Sequence, residues 1–288
     1  MKKTKILRNI LAKEELLVLP GASTALLGKL VELAGFQAVY ATGAGIANMN
    51  FAIPDIGLVT MNENLEVCKR INDATALPVI ADIDNGYGNA MSVYRTVKEF
   101  TAAGIAGLQL EDQQMPKRCG HFNGKAVISK AEMLGKIKAA KDAMLDQDTL
   151  LIARTDAIAV HGFEDAMDRA YAYLEAGADI LFVEAPTAVD ELKRITAGVP
   201  AWHIANMVEG GKTPIIPNQE LTAMGFKIAL YANAPLKAAI KGTKDLLAHL
   251  MQHGRTDDCE QLMISMKERN QITGLEEMTA RDMKYKFE

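Results

Sequence analysis

The chain has 288 residues, 49% hydrophobic and 24% charged, with a formal net charge of −4. That balance is ordinary for a globular protein and gives no electrostatic reason to expect a nucleic acid or an anionic membrane as partner. No apolar run reaches the roughly 20 residues that span a bilayer, and the start, MKKTKILRNILAKEELLVLP, lacks the apolar core and cleavage site of a secretory leader.

In chain order, short apolar, β-branched runs ending in polar residues alternate with helical stretches. LLVLPGAS (16–23) comes first. FQAVYATG (36–43) ends in Tyr40 and Thr42, and LPVIADID (77–84) in Asp82 and Asp84. VYRTVKEFTAAG (93–104) then sets Val93, Val97 and Phe100 on one helical face and closes on glycine. GIAGLQLED (104–112) ends in Glu111 and Asp112, and TLLIARTDA (149–157) in Arg154 and Asp156. DAMDRAYAYLEAG (165–177) repeats the helical pattern with Ala166, Ala170, Tyr173 and Leu174. ADILFVEAP (178–186) ends in Glu184, PAWHIANM (200–207) in Asn206, and FKIALYAN (226–233) is the eighth run. Such runs read as strands buried on both faces. Eight of them alternating with helices predict a closed parallel (β/α)8 barrel, an α/β fold, ahead of an open doubly wound sheet. No Pro/Ser/Gly-rich linker divides the chain. One domain over residues 1–288 is expected, with a helical extension from about 234 to 288 that caps the barrel or packs on a neighbouring subunit.

In such a barrel the active site lies at the C-terminal ends of the strands, where these polar residues collect. Carboxylates crowded at a narrow mouth repel one another unless a cation or an arginine compensates. Asp82 and Asp84, two apart on a strand, are expected to share a face. With Glu111 they form an all-oxygen set suited to Mg²⁺, with Mn²⁺ as a substitute, rather than to zinc. Arg154 has the planar fork that binds a carboxylate bidentately.

After the fourth strand comes an unusually long connection, residues 113–129, ahead of a helix that Ser129 would cap. It leaves the same strand as Glu111 and reads as a lid. Within QMPKRCGHFNGKAVIS (114–129), Lys117 and Arg118 precede Cys119, and His121 follows. That cationic setting lowers a thiol pKa, so Cys119 can give or take a proton near neutral pH. A zinc knuckle has too few ligands here. A covalent nucleophile and an incidental cysteine in a polar loop both stay open. Cys68 and Cys259 fall on expected helices as packing residues, and His203 reads as a core histidine. Three widely spaced cysteines predict no disulfide framework and a reducing cytoplasm.

Together these residues resemble the isocitrate lyase and phosphoenolpyruvate mutase superfamily, over nearly the whole chain. PKRCGH (116–121) is the sharpest signature and is typical of the carbon–carbon lyase branch. YATGAG (40–45), PDIG (54–57), ADID (81–84), LEDQ (110–113), ARTDA (153–157), FVEAP (182–186) and ANMVEGGKTP (205–214) support it. The resemblance implies Mg²⁺ held by Asp82 and Asp84, with Glu111 joining through water. It implies that Thr42, Gly43, Ala44 and Arg154 bind the 2-oxo-acid half of the substrate, with Asp55 as a further binding residue. Gly120, His121 and Asn206 would approach the distal carboxylate, and Glu184 would support the site. Thr42 stands where the family commonly has serine. The implied reaction cleaves the C2–C3 bond of a 2-hydroxy dicarboxylate. Tyr40 is a candidate base for the hydroxyl, Cys119 protonates the resulting carbanion, and Lys117 and His121 tune the thiol. The first expected substrate is 2,3-dimethylmalate, giving pyruvate and propionate. 2-Methylisocitrate, giving pyruvate and succinate, is the alternative. A phosphonomutase, an oxaloacetate-processing relative and a non-catalytic binding barrel stand behind these. The resemblance also implies a homotetramer that exchanges its last barrel helix.

Overall fold

The structure, a computed structural model, describes residues 1–118, 120 and 124–286 and divides into two compact units, Met1–Pro235 and Leu236–Glu288. In the first unit eight parallel strands close a barrel in chain order. They are β1 (Leu17–Ala22), β2 (Val39–Ala41), β3 (Val79–Asp82), β4 (Gly107–Glu111), β5 (Leu150–Thr155), β6 (Ile180–Val183), β7 (Trp202–Asn206) and β8 (Ile228–Tyr231). Each expected run contains one of them. β8 closes on β1, with Leu17 beside Ile228 and Pro20 beside Tyr231.

The period of two along each strand sorts side chains into an outward and an inward row. On β5, Leu151 and Ala153 join the layer beneath the helices, whereas Leu150 and Ile152 join the barrel interior. On β6, Leu181 and Val183 go outward and Ile180 and Phe182 inward. One step further along, the inward rows reach Asp82, Glu111, Arg154 and Asn206. The interior is therefore apolar for most of its depth and polar at one end.

The other end is stopped by a helix that the sequence pattern did not single out, Lys3–Leu11. Leu7 and Leu11 are 0% and 1% exposed and belong to the interior cluster with Ile152 and Ile180. Gly107 opens β4 without a side chain, and a Cβ there would come 3.4 Å from Leu7 Cδ2.

The helix expected over 93–104 spans Ala90–Ala102 and buries Val93, Val97 and Phe100. Asn89 caps it by accepting from the Met91 and Ser92 N–H groups, and Gly104 follows at φ +80°. Ser129 caps the helix Lys130–Ala143, accepting from the Glu132 N–H at 3.1 Å. The second unit holds most of the helix Ala234–His253, then Met266–Ile272 and Leu275–Tyr285. Cys259 departs from its expected helix: it precedes a short 3-10 turn, and its thiol donates to the Thr256 carbonyl. Among the described residues no helix is long and apolar enough to cross a membrane.

Candidate active site

The polar end of the barrel opens into a small, partly enclosed cavity. Asp82, Glu111, Arg154, Tyr40 and Thr42 line it, with Lys117 reaching in from the 113–129 connection. Lining also comes from Ala44, Asp55, Gly120, Glu184 and Asn206.

Asp82 ends β3, but Asp84 lies beyond the strand at φ +49°. The two carboxylates do converge, through this left-handed bend rather than through the strand pleat that the spacing suggested. The Asp84 N–H donates to Asp82 Oδ1 at 3.1 Å. Gly43 shows where they meet: a Cβ there would lie 3.0 Å from Asp82 Oδ2 and 3.3 Å from Asp84 Oδ1. Gly43 begins the helix Gly43–Phe51, and Thr42 caps it by accepting from the Gly45 N–H. The positive end of that helix thus faces the aspartates.

Buried Glu111 has Oε1 without a hydrogen-bond partner, and burial pushes its carboxyl well above the ordinary carboxylate range despite Arg154 nearby. The donor set is all oxygen, which fits Mg²⁺ or Mn²⁺. A mixed His249, Asp258 and Cys259 cluster lies in the second unit, where His249 Nε2 is 2.7 Å from Asp258 Oδ1.

Arg154 is less free than its fork suggested. Its Nε and Nη2 donate to the two oxygens of Asp156 at 2.9 and 3.1 Å, and its plane lies over the Phe182 ring. Glu111 and Glu184 stand 3.5 and 3.6 Å away. What remains for a ligand is the outer Nη1/Nη2 edge. Burial raises the Asp156 carboxyl, but Arg154 and Lys125 outweigh it and hold the group below its usual value. Asn206 Nδ2 donates to Glu184, leaving its buried Oδ1 without a partner.

The long connection starts as a narrow neck, with the Gln114 N–H donating to Ala126 and the Ile128 N–H to Asp112. Lys117 is bound to Asp55 and lies 2.7 Å from Asp84. Burial works against its ammonium, but Asp84 and Asp55 outweigh it and hold the pKa well above the ordinary lysine value. Asp55 is therefore the partner of Lys117. Gly120 is packed where no side chain fits, since a Cβ would come 2.4 Å from Arg154 Nη2 and 2.8 Å from Glu184. The expectations for Cys119 and His121 lie outside the described residues.

Two expectations change. The Tyr40 hydroxyl donates to Gln109 Oε1 at 2.6 Å, and burial, with Asp82 adding, pushes its pKa well above the ordinary value. That hydrogen bond and the burial both work against the role of base. Asp112 turns away from the mouth into a buried network with Thr155, Tyr173 and Arg169, a structural role. The sequence reading also passed over Gln109, which donates to Asp82 at 3.3 Å. Its inward place two residues before Glu111 was the available signal.

Residues 7–251 match the family described as phosphoenolpyruvate phosphomutase. The chain is 44% identical over 272 residues to a 2,3-dimethylmalate lyase of Eubacterium barkeri, covering 94% of each. It is 40% identical to a 2-methylisocitrate lyase of Aeropyrum pernix, covering 96% of this chain and 89% of that one. It superposes on a phosphonopyruvate hydrolase solved with oxalate and Mg²⁺ at a TM-score of 0.89, with 30% identity and 99% of each chain covered. The chain thus belongs to the phosphoenolpyruvate mutase/isocitrate lyase superfamily and is an enzyme of its carbon–carbon lyase branch.

Proposed function

We propose that this enzyme cleaves the C2–C3 bond of a small 2-hydroxy dicarboxylate, with 2,3-dimethylmalate giving pyruvate and propionate. The observation that carries the reading is the meeting of Arg154 and Asp82 on one cavity, with Asp84 brought beside Asp82 against Gly43. Arg154 and the amides opening the helix Gly43–Phe51 hold the carboxylate of the pyruvate half. The 2-hydroxyl gives its proton to a carboxylate lining the cavity, and its oxygen becomes the carbonyl. The C2–C3 electron pair moves to C3, where the Cys119 thiol delivers a proton. A divalent cation held by Asp82 and Asp84, with Glu111 through water, would supply positive charge beside the oxygen that becomes the 2-oxo group. The Mg²⁺ and oxalate bound by the related hydrolase support that part of the reading.

2-Methylisocitrate is the second reading, because relatives at 40% identity carry that name. It has one more carboxylate to neutralise. Lys117, a buried cation on the cavity, is already engaged by Asp55 and Asp84. That favours the substrate with two carboxylates. The same reading includes a homotetramer. On the helix Ala25–Leu33, Leu26, Leu30 and Leu33 recur along one side and are 52%, 38% and 57% exposed, a stripe of the kind a second copy covers.

The test is a panel of 2,3-dimethylmalate, 2-methylisocitrate, oxaloacetate and phosphonopyruvate with Mg²⁺, monitoring pyruvate from wild type and Cys119→Ser. Wild type is expected to prefer 2,3-dimethylmalate. The serine variant is expected to lose about 10²–10⁴ in kcat, the range for a positioned proton donor. No 2-oxo acid from either hydroxy acid ends the lyase reading, and full activity in the variant ends the thiol assignment alone.

A further inference from the structure

Position 119 lies between two peptides that are each held by a buried side chain. On one side the Gln113 amide binds the Arg118 backbone twice: Gln113 Nε2 donates to the Arg118 carbonyl at 2.8 Å, and the Arg118 N–H donates to Gln113 Oε1 at 2.9 Å. On the other side Lys125 Nζ donates to the Gly120 carbonyl at 2.5 Å. Gln113 and the Lys125 side chain are each 1% exposed.

Lys125 has a second partner, Asp156 Oδ1 at 2.6 Å. That oxygen also accepts from Arg154 Nη2, against which Gly120 packs. Gly120, Lys125, Asp156 and Arg154 therefore form a closed ring of contacts. Removing an ammonium and a carboxylate from water costs several kcal/mol per ion unless the pair and its hydrogen bonds recover it. A loop that needed only to be polar has no use for such a pair, whereas a loop whose backbone must stand at one height above Arg154 does.

We propose that Gln113 and Lys125 are positioning residues: they clamp the peptides on both sides of position 119, and Lys125 ties the second clamp to Arg154 through Asp156. The Arg118 and Gly120 backbone groups that flank position 119 in sequence are thereby held at two points. The catalytic consequence rests on Cys119 as the proton donor proposed above. The clamp itself belongs to the backbone and is testable without turnover.

The experiment compares wild type with Gln113→Leu, Lys125→Met and Lys125→Arg in the full chain with Mg²⁺. It measures kcat and KM for 2,3-dimethylmalate and the rate of chymotrypsin cleavage after Phe122. Lys125→Met and Gln113→Leu are expected to lower kcat on the order of 10- to 100-fold, the loss that follows a misplacement of about 1 Å. KM should stay within about threefold, since Arg154 keeps its own hydrogen bonds to both oxygens of Asp156. Both variants should be cut after Phe122 at least about tenfold faster, as expected when local opening becomes easier. Lys125→Arg, which keeps the charge and donors, should recover much of both losses. The proposal is overturned if cleavage is unchanged in both variants. It is also overturned if thermal stability falls while kcat of the folded enzyme stays within about twofold of wild type, because the pair would then serve the fold alone. If wild type turns over neither hydroxy acid, the functional reading fails and the cleavage rates alone decide the clamp.

Discussion

Asp84 sits in a left-handed bend at φ +49° and is held between a lysine and a second aspartate. Burial, opposed by Lys117 and reinforced by Asp82 and Asp55, raises its carboxyl to about 7. A group whose folded pKa is raised contributes stability that is fully present below the unfolded carboxylate range, near about pH 4, and is lost as pH climbs through about 7. A divalent cation competes with that proton. Mg²⁺ should therefore raise the thermal midpoint more at pH 8 than at pH 6, and Asp84→Asn should erase the difference. An equal shift at both values removes Asp84 from the cation site. Gly120 offers a second check at this scale. In Gly120→Ala the new methyl meets buried Arg154 and Glu184, so the loop must lift. The expected result is a loss of about 10²-fold in kcat/KM with a nearly unchanged thermal midpoint.

Strand ends were readable because a strand buried on both faces announces itself as an apolar run, and the first polar inward position marks the mouth. Arg154, Glu111 and Asp82 all follow from that rule. Asp112 breaks it, because one residue of register turns its carboxylate outward to Arg169 and Tyr173. Lys125 and Gln113 had no pattern to betray them, since a long connection has no period and its partners are set by tertiary contacts. The helix Lys3–Leu11 was missed for a related reason. Its nine residues are too few to show a stripe, and its lysines resemble the start of a leader. Its weight is structural. Leu7→Ala should cost about 2–5 kcal/mol in denaturant unfolding, the range for a fully buried leucine, while leaving KM unchanged. A cost below about 0.5 kcal/mol, the level of a surface substitution, would mean that the helix does not hold the barrel.

For the whole molecule, the exposed stripe of Leu26, Leu30 and Leu33 is the feature a solitary chain does not explain. Light scattering should give a particle of four 31.3 kDa chains, about 125 kDa, and Leu30→Glu should lower that mass. A wild-type mass of one chain would end the tetramer. The barrel as a closed ring was foreseeable from the sequence because eight repeated units leave little else to build. The helix at its base was not, and it has a consequence for that end. With Leu7 and Leu11 packed onto Ile152 and Ile180, the apolar interior keeps no face open to water at the base, so exchange with solvent is left to the end where the polar residues stand.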